Sequence, residues 1–310
     1  MTSDLSSTFR SGFASLVGRP NVGKSTLTNA LVGSKVAITS PRPQTTRHAI
    51  RGIVNRPGAQ LVLVDTPGLH RPRTLLGERL NALVKATWAG VDVVGVCLAA
   101  TEPVGPGDRF LLAELAKIAG TPKIAIVTKT DLVTPEQLTG YLVAVVALGD
   151  GAGVGWTDIV PVSTVAGFQV DLVADLLTAQ LPVGQQLYPD GVLTDEPEAI
   201  LVAELIREAA LEGVRDELPH SLAVVVEEMG LREGRPADKP LLDIEAELYV
   251  ERPTQKGIVI GKGGARLKHV GSTAREQIEA LLGTPVYLDL RVKVAKNWQR
   301  DPKQLRRLGF

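Results

Sequence analysis

The residues Gly18-Arg19-Pro20-Asn21-Val22-Gly23-Lys24-Ser25-Thr26 match the pattern G-x-x-x-x-G-K-[ST] in full. Each part has a chemical use. The two glycines let the backbone curl so that successive N–H groups point inward and cradle a phosphate. Lys24 places a point charge on the outer phosphates of a nucleotide. The Ser25 hydroxyl is a ligand for Mg²⁺, and a helix that starts here aims its positive end at the anion. Downstream, Asp65-Thr66-Pro67-Gly68 follows an apolar run. A carboxylate at such a strand end reaches the metal, and the Gly68 N–H is placed to bond a terminal phosphate. Alone, Asp-x-x-Gly is a common turn; behind a phosphate-binding loop it gains meaning.

These loops need a scaffold, and the pattern supplies one. Strands are expected at Phe13–Val17, His48–Asn55, Leu61–Asp65, Asp92–Ala99, Lys123–Val127 and Ile159–Val162. Helices are expected at Thr26–Val32, Leu76–Ala89, Asp108–Ile118, Pro135–Leu148 and Asp171–Gln180, with a loose Gly-rich loop over Gly149–Gly155. The alternation implies a doubly wound α/β domain with a mostly parallel six-stranded sheet. The candidate loops then follow strand ends, where such sheets bind ligands. Domain 1–181 would be followed by a linker at 182–197, broken by Pro182, Gly184, Pro189, Gly191 and Pro197, and by a smaller α+β domain at 198–310.

Composition narrows the class. The chain has 310 residues, 44% hydrophobic and 22% charged, enough for two ordinary domains. Its longest apolar run, Val91–Ala100, is interrupted by Asp92 and too short for a membrane span. The polar, Ser-rich Met1–Arg10 has no apolar secretory segment. One cysteine, Cys97, excludes an internal disulfide and argues for a reducing, cytoplasmic setting. The formal net charge is zero, yet Gly261–Phe310 carries eleven Lys/Arg against four Asp/Glu. That basic end points to an anionic partner, of which RNA and an anionic membrane surface are the candidates.

The second domain has a motif of its own. An amphipathic helix at Ala199–Leu211, strands at Ala223–Glu228, Asp243–Val250 and Val286–Val294, and a helix at Ala265–Leu282 surround Ile260-Gly261-Lys262-Gly263-Gly264. Glu227–Lys239 reads as a charged turn. Gly-x-x-Gly between two short helices lets an RNA backbone pass close, with Lys262 and helix N-termini favouring phosphate.

Gly18–Ser25, Thr46, Asp65–Gly68, Thr128–Asp131 and Ser163 have the order and spacing of the five nucleotide-binding elements of small GTPases. With Gln44-Thr45-Thr46-Arg47-His48 and Asp65-Thr66-Pro67-Gly68-Leu69-His70, the first 180 residues resemble the Era family of bacterial ribosome-assembly GTPases. The second domain resembles a type II KH domain, and the end from Trp298 to Phe310 resembles the Era carboxyl terminus. The resemblance implies a P-loop GTPase with GTP/GDP as bound nucleotide and Mg²⁺ held by Ser25, Thr46 and Asp65. Lys24, Thr46 and Gly68 would serve hydrolysis. The nucleotide would lie on Gly18–Thr26, Thr46, Asp65–Leu69, Thr128, Lys129, Thr130, Asp131, Ser163 and Thr164. RNA would lie on Ile260, Gly261, Lys262, Gly263, Gly264 and Lys268. The implied partner is small-subunit ribosomal RNA near its 3′ end, with a role in small ribosomal subunit assembly by a monomer. Peripheral contact with the inner face of the cell membrane is a secondary expectation.

Two departures from the family pattern matter. Thr128 stands where the guanine-recognition element usually has Asn, which predicts weaker affinity with guanine preference kept through Asp131. Leu69 stands where a water-orienting Gln is found in Ras-like enzymes, which predicts slow intrinsic hydrolysis. Two other readings remain open at this level: a membrane-associated signalling GTPase, and an RNA-binding module that holds nucleotide with little turnover.

Overall fold

The computed structural model describes residues 9–39, 46–69, 72, 74–213 and 221–310. Gln44, Thr45 and His70, which carry part of the resemblance, lie outside them. Two compact units are present. The first takes in Met1–Ala37, Thr46–Arg71 and Leu80–Asp195; the second takes in Glu196–Phe310 with the short stretches Ile38–Thr45 and Pro72–Arg79.

The first unit is a six-stranded sheet of β1 (Arg10–Val17), β2 (Ile50–Arg56), β3 (Ala59–Asp65), β4 (Val93–Ala99), β5 (Lys123–Thr128) and β6 (Asp158–Pro161). Their order is β2-β3-β1-β4-β5-β6, with only β2 antiparallel to its neighbour. β3, β4 and β5 are buried at every position. Strands covered on both faces read as continuous apolar runs, which is why they are plain in the sequence. The helices are α1 (Lys24–Val32), α2 (Leu75–Trp88, of which the part from Leu80 belongs to this unit), α3 (Pro106–Leu115), α4 (Pro135–Ala152) and α5 (Val170–Ala179). Leu27 and Leu31 of α1 pack with Val173 and Leu177 of α5 on one face of the sheet. Val84 and Trp88 of α2, Leu111 and Leu112 of α3, and Tyr141 and Val145 of α4 pack on the other. The order turns outward on both sides of β1, so the loop after β1 opens at the carboxyl edge of the sheet.

One expectation is corrected here. α4 begins on a capping box between Thr134 and Gln137 and runs on to Ala152, through the first four residues of the expected Gly149–Gly155 loop. Trp156 folds back on it, its indole N–H donating 3.0 Å to the Val145 carbonyl. Most of the expected linker, 182–195, is bonded to the first unit. Pro182 and Gly184 exchange backbone bonds with Ser11 and Phe9, Gln60 binds the backbone of Leu187 and Tyr188, and the Ile53 N–H donates 2.8 Å to Leu193. The strap gives the exposed edge of β2 a backbone partner.

The second unit has α6 (Glu198–Leu211), β7 (Ala223–Leu231), β8 (Leu242–Val250), α7 (Pro253–Ile260), α8 (Ala265–Leu282), β9 (Val286–Val294) and α9 (Pro302–Arg307). β7 is antiparallel and β9 parallel to the central β8. Val202, Leu205 and Ile206 of α6 and Val270, Ala274 and Ile278 of α8 cover Ile244, Ala246 and Leu248 of β8. β7 continues three residues past the expected Glu228, into the stretch expected to be a charged turn, and its register shifts between Val226 and Glu228. A bulge breaks the two-residue alternation that marks a strand.

The basic terminus is also folded. Trp298 is buried, donates 2.9 Å to the Ser221 carbonyl and stacks on Phe310 at 5.7 Å, while Leu305 and Leu308 are buried beside it. Asp301 caps α9 through the Lys303 N–H at 2.8 Å. Trp298→Ala should therefore cost about 3–5 kcal/mol of stability in the second unit, read by denaturant unfolding of the full chain. A loss near zero would mean that the terminus does not belong to this core.

Candidate functional site: a nucleotide cradle and an RNA groove

The loop after β1 lies hard against β4. A Cβ on Gly18, whose φ is +157°, would stand 2.5 Å from the Cys97 carbonyl, so no larger residue fits without moving the loop. Cys97 itself is fully buried, its thiol pushed up to about 12 by burial, which leaves it inert. Asn21 takes the left-handed backbone that this residue type tolerates best after glycine. The Arg19 side chain turns away, pairing at 2.8 Å with the buried Asp108 and at 3.1 Å with Glu102, so this residue offers the loop its backbone.

Lys24 opens α1 and is buried. Its ammonium donates 3.1 Å to the Gly18 carbonyl and 2.9 Å to that of Arg19, inside the curl of the loop. Burial lowers its pKa, and burial raises that of Asp65; the attraction between the two opposes both shifts. Three oxygens converge beside them. Ser25 Oγ donates 2.8 Å to Asp65 Oδ2, lies 3.1 Å from Thr46 Oγ1, and Thr46 Oγ1 donates 3.3 Å to the same Asp65 oxygen. The other oxygen, Asp65 Oδ1, is buried without a hydrogen bond of normal geometry. Two hydroxyls and a carboxylate are hard donors, and the unsatisfied oxygen leaves room for one more positive partner, a fit to Mg²⁺. Thr46, recognisable only by resemblance from sequence, is thus brought to Ser25 and Asp65 from a separate loop.

Thr66, Pro67 and Gly68 lead off β3. A Cβ on Gly68 would meet the Pro20 nitrogen at 3.1 Å, so this backbone passes close over the phosphate-binding loop. Leu69 is buried with Val17, Val84 and Trp88. It serves the core, and its side chain has nothing to offer a water molecule.

The base-side elements also meet. Thr128 ends β5, Lys129 has a left-handed backbone, and Thr130–Leu132 form one tight turn. Ser163, just past β6, donates 2.6 Å to Asp131 Oδ1 and accepts from the Ala166 N–H at 3.1 Å. Thr164 follows in that same turn. Asp131 is so oriented by a residue 32 positions away. The Thr128 hydroxyl donates 2.6 Å to the Val22 carbonyl.

In the second unit, Gly261, Gly263 and Gly264 all have positive φ, and a Cβ on Gly261 would stand 2.7 Å from the Arg266 Cβ. That turn joins α7 to α8 with Lys262 and Lys268 exposed. Ile260 is partly buried against the core, so it anchors α7. A groove of about 390 Å³ runs between α8 and β9, lined by Gly264, Lys268, Ser272, Arg275, Tyr287 and Leu290 among others. Ser272, Arg275 and Tyr287 were not singled out from sequence. The signal was there: Lys268, Ser272 and Arg275 follow helical spacing on one face, and Tyr287 alternates outward on β9 next to the buried Val286.

A tight glycine loop after β1 and a hard oxygen cluster at the end of a mostly parallel sheet define a nucleotide-binding α/β protein of the P-loop class, joined to a KH unit. A family model described as 50S ribosome-binding GTPase matches residues 13–129, and one described as KH domain matches residues 217–299. The chain is 72% identical over 301 residues to GTPase Era of Streptomyces coelicolor, covering 97% of this chain and 95% of that protein. It is 70% identical to GTPase Era of a Nocardioides species, covering 97% and 96%. A solved structure of Era in complex with MgGDPNP and nucleotides 1506–1542 of 16S ribosomal RNA is similar with a TM-score of 0.91. It is 36% identical, and the match covers 97% of this chain and 99% of that one. The chain belongs to the Era family of GTPases.

Ser163→Ala removes the bond that orients Asp131, and GDP affinity should fall about fivefold, read by calorimetric titration. Unchanged affinity would mean that Asp131 is held in place without it.

Proposed function

We propose that this protein is a GTP-hydrolysing switch that binds small-subunit ribosomal RNA near its 3′ end and acts in small ribosomal subunit assembly in the cytoplasm. Residues 1–181 carry the nucleotide and residues 198–310 the RNA. The observation that carries the reading is the convergence of Ser25, Thr46 and Asp65 oxygens beside the buried Lys24, within a phosphate-binding loop. Two loops from distant parts of the chain complete one hard-oxygen cluster there.

The backbone of Gly18–Ser25 receives the phosphates, and the Lys24 ammonium exchanges its two loop carbonyls for phosphate oxygens. Ser25, Thr46 and Asp65 would hold Mg²⁺, which would supply positive charge against the phosphate oxygens. The Gly68 N–H faces the γ-phosphate. Asp131 accepts from guanine N1–H and the 2-amino group; adenine presents a bare N1 acceptor and is repelled. With Leu69 committed to the core, no side chain at that position positions the attacking water, and turnover is slow. In the second unit, the Gly261–Gly264 turn and Lys268 take the RNA backbone, while Arg275 and Tyr287 offer the groove a cation and a stacking face.

The test is phosphate release from GTP with and without an oligonucleotide of the 16S 3′ end. Slow release that requires Mg²⁺ is expected, and no release under either condition would leave a nucleotide-holding RNA module. Lys24→Ala should abolish nucleotide binding. Replacing Lys262 and Gly263 by aspartates should reduce affinity for that oligonucleotide by more than about tenfold while nucleotide binding persists. Equal affinity for a scrambled oligonucleotide would overturn the ribosomal RNA reading.

A further inference from the structure

Thr128 sits at the back of the phosphate-binding loop, 3% exposed. A threonine hydroxyl carries one proton. Here that proton goes to the Val22 carbonyl at 2.6 Å. The Leu98 carbonyl, at 3.4 Å, is a second claimant and also an acceptor. A Cβ on Gly23 would come 3.9 Å from both Thr128 Cβ and Oγ1, so this side chain lies directly behind the residue that precedes Lys24. Thr128 therefore ties β5 to the loop at the point where α1 begins.

Guanine N7 is an acceptor too. To read it, the hydroxyl would have to abandon a short buried bond and leave the Val22 carbonyl without its donor, which costs at least what the new bond returns. An asparagine amide has two N–H groups and can serve a loop carbonyl and N7 together. A threonine cannot serve both. We infer that Thr128 is a positioning residue for the phosphate-binding loop and that this protein leaves guanine N7 unread. Base selection then falls on the edge that faces Asp131. This inference rests on the guanine-site reading proposed above.

The reagent that separates the two is 7-deazaguanosine diphosphate, in which N7 is a C–H. Titration of the full chain with GDP should give an affinity within about twofold of that for 7-deaza-GDP, since no hydrogen bond is lost. Inosine diphosphate, which lacks the 2-amino group, should bind about tenfold more weakly. Thr128→Asn should create a preference of about fivefold for GDP over 7-deaza-GDP. Thr128→Val should weaken both about tenfold with their ratio still near one, and Thr128→Ser should restore wild-type values. A residue that merely packs would leave the GDP to 7-deaza-GDP ratio unmoved in Thr128→Asn, and that result would overturn the inference. So would a wild-type preference for GDP of fivefold or more over 7-deaza-GDP, or wild-type affinity in Thr128→Val. If Thr128→Val does not fold, the wild-type and Thr128→Asn ratios still decide. Equal affinity for GDP and inosine diphosphate would instead overturn the guanine-site reading itself.

Discussion

A buried ammonium and a buried carboxylate share the end of the central sheet, and much of the first unit is arranged around them. Taking Lys24 and Asp65 out of water is expensive for each. The protein offsets that cost with local donors and acceptors: two loop carbonyls for the ammonium, two hydroxyls for the carboxylate. The compensation is partial, since one carboxylate oxygen keeps no bond of normal geometry. A site poised in this way gains most from a ligand that carries both signs, and a magnesium nucleotide does. Binding energy and folding strain are thus placed at the same few atoms.

The constraint propagates through the loops. The loop after β1 lies against β4 at Gly18 and is bonded from behind by Thr128 at Val22. Leu69 anchors the start of the loop after β3 in the core. The residue that a Ras-like enzyme uses for water is spent here on packing.

The RNA unit uses different physics. Its turn exposes backbone and positive charge where a phosphate chain would run, while the helix before the turn is pinned by Ile260. Many of the basic residues near the carboxyl end lie on folded elements, and Arg307 stacks over Tyr249 while bonding its hydroxyl at 3.1 Å.

The sequence alone determined the class of each unit. Buried parallel strands read as apolar runs, the phosphate-binding loop has a fixed spacing, and a Gly-x-x-Gly turn lies between helices, so local chemistry was enough. It also singled out Ser25 and Asp65, whose side chains are bonded to one another at 2.8 Å. It missed what depends on contacts between distant residues. The bulge in β7 breaks the period that announces a strand, and the strap at 182–195 is held by Gln60 and Ile53 from far away in the chain. Arg275 and Tyr287 face one groove only because α8 packs beside β9. Thr128 is the sharpest case. Its residue type said only that an amide was missing; where its single proton goes was decided by the Val22 carbonyl, 106 residues earlier, which packing brings within 2.6 Å.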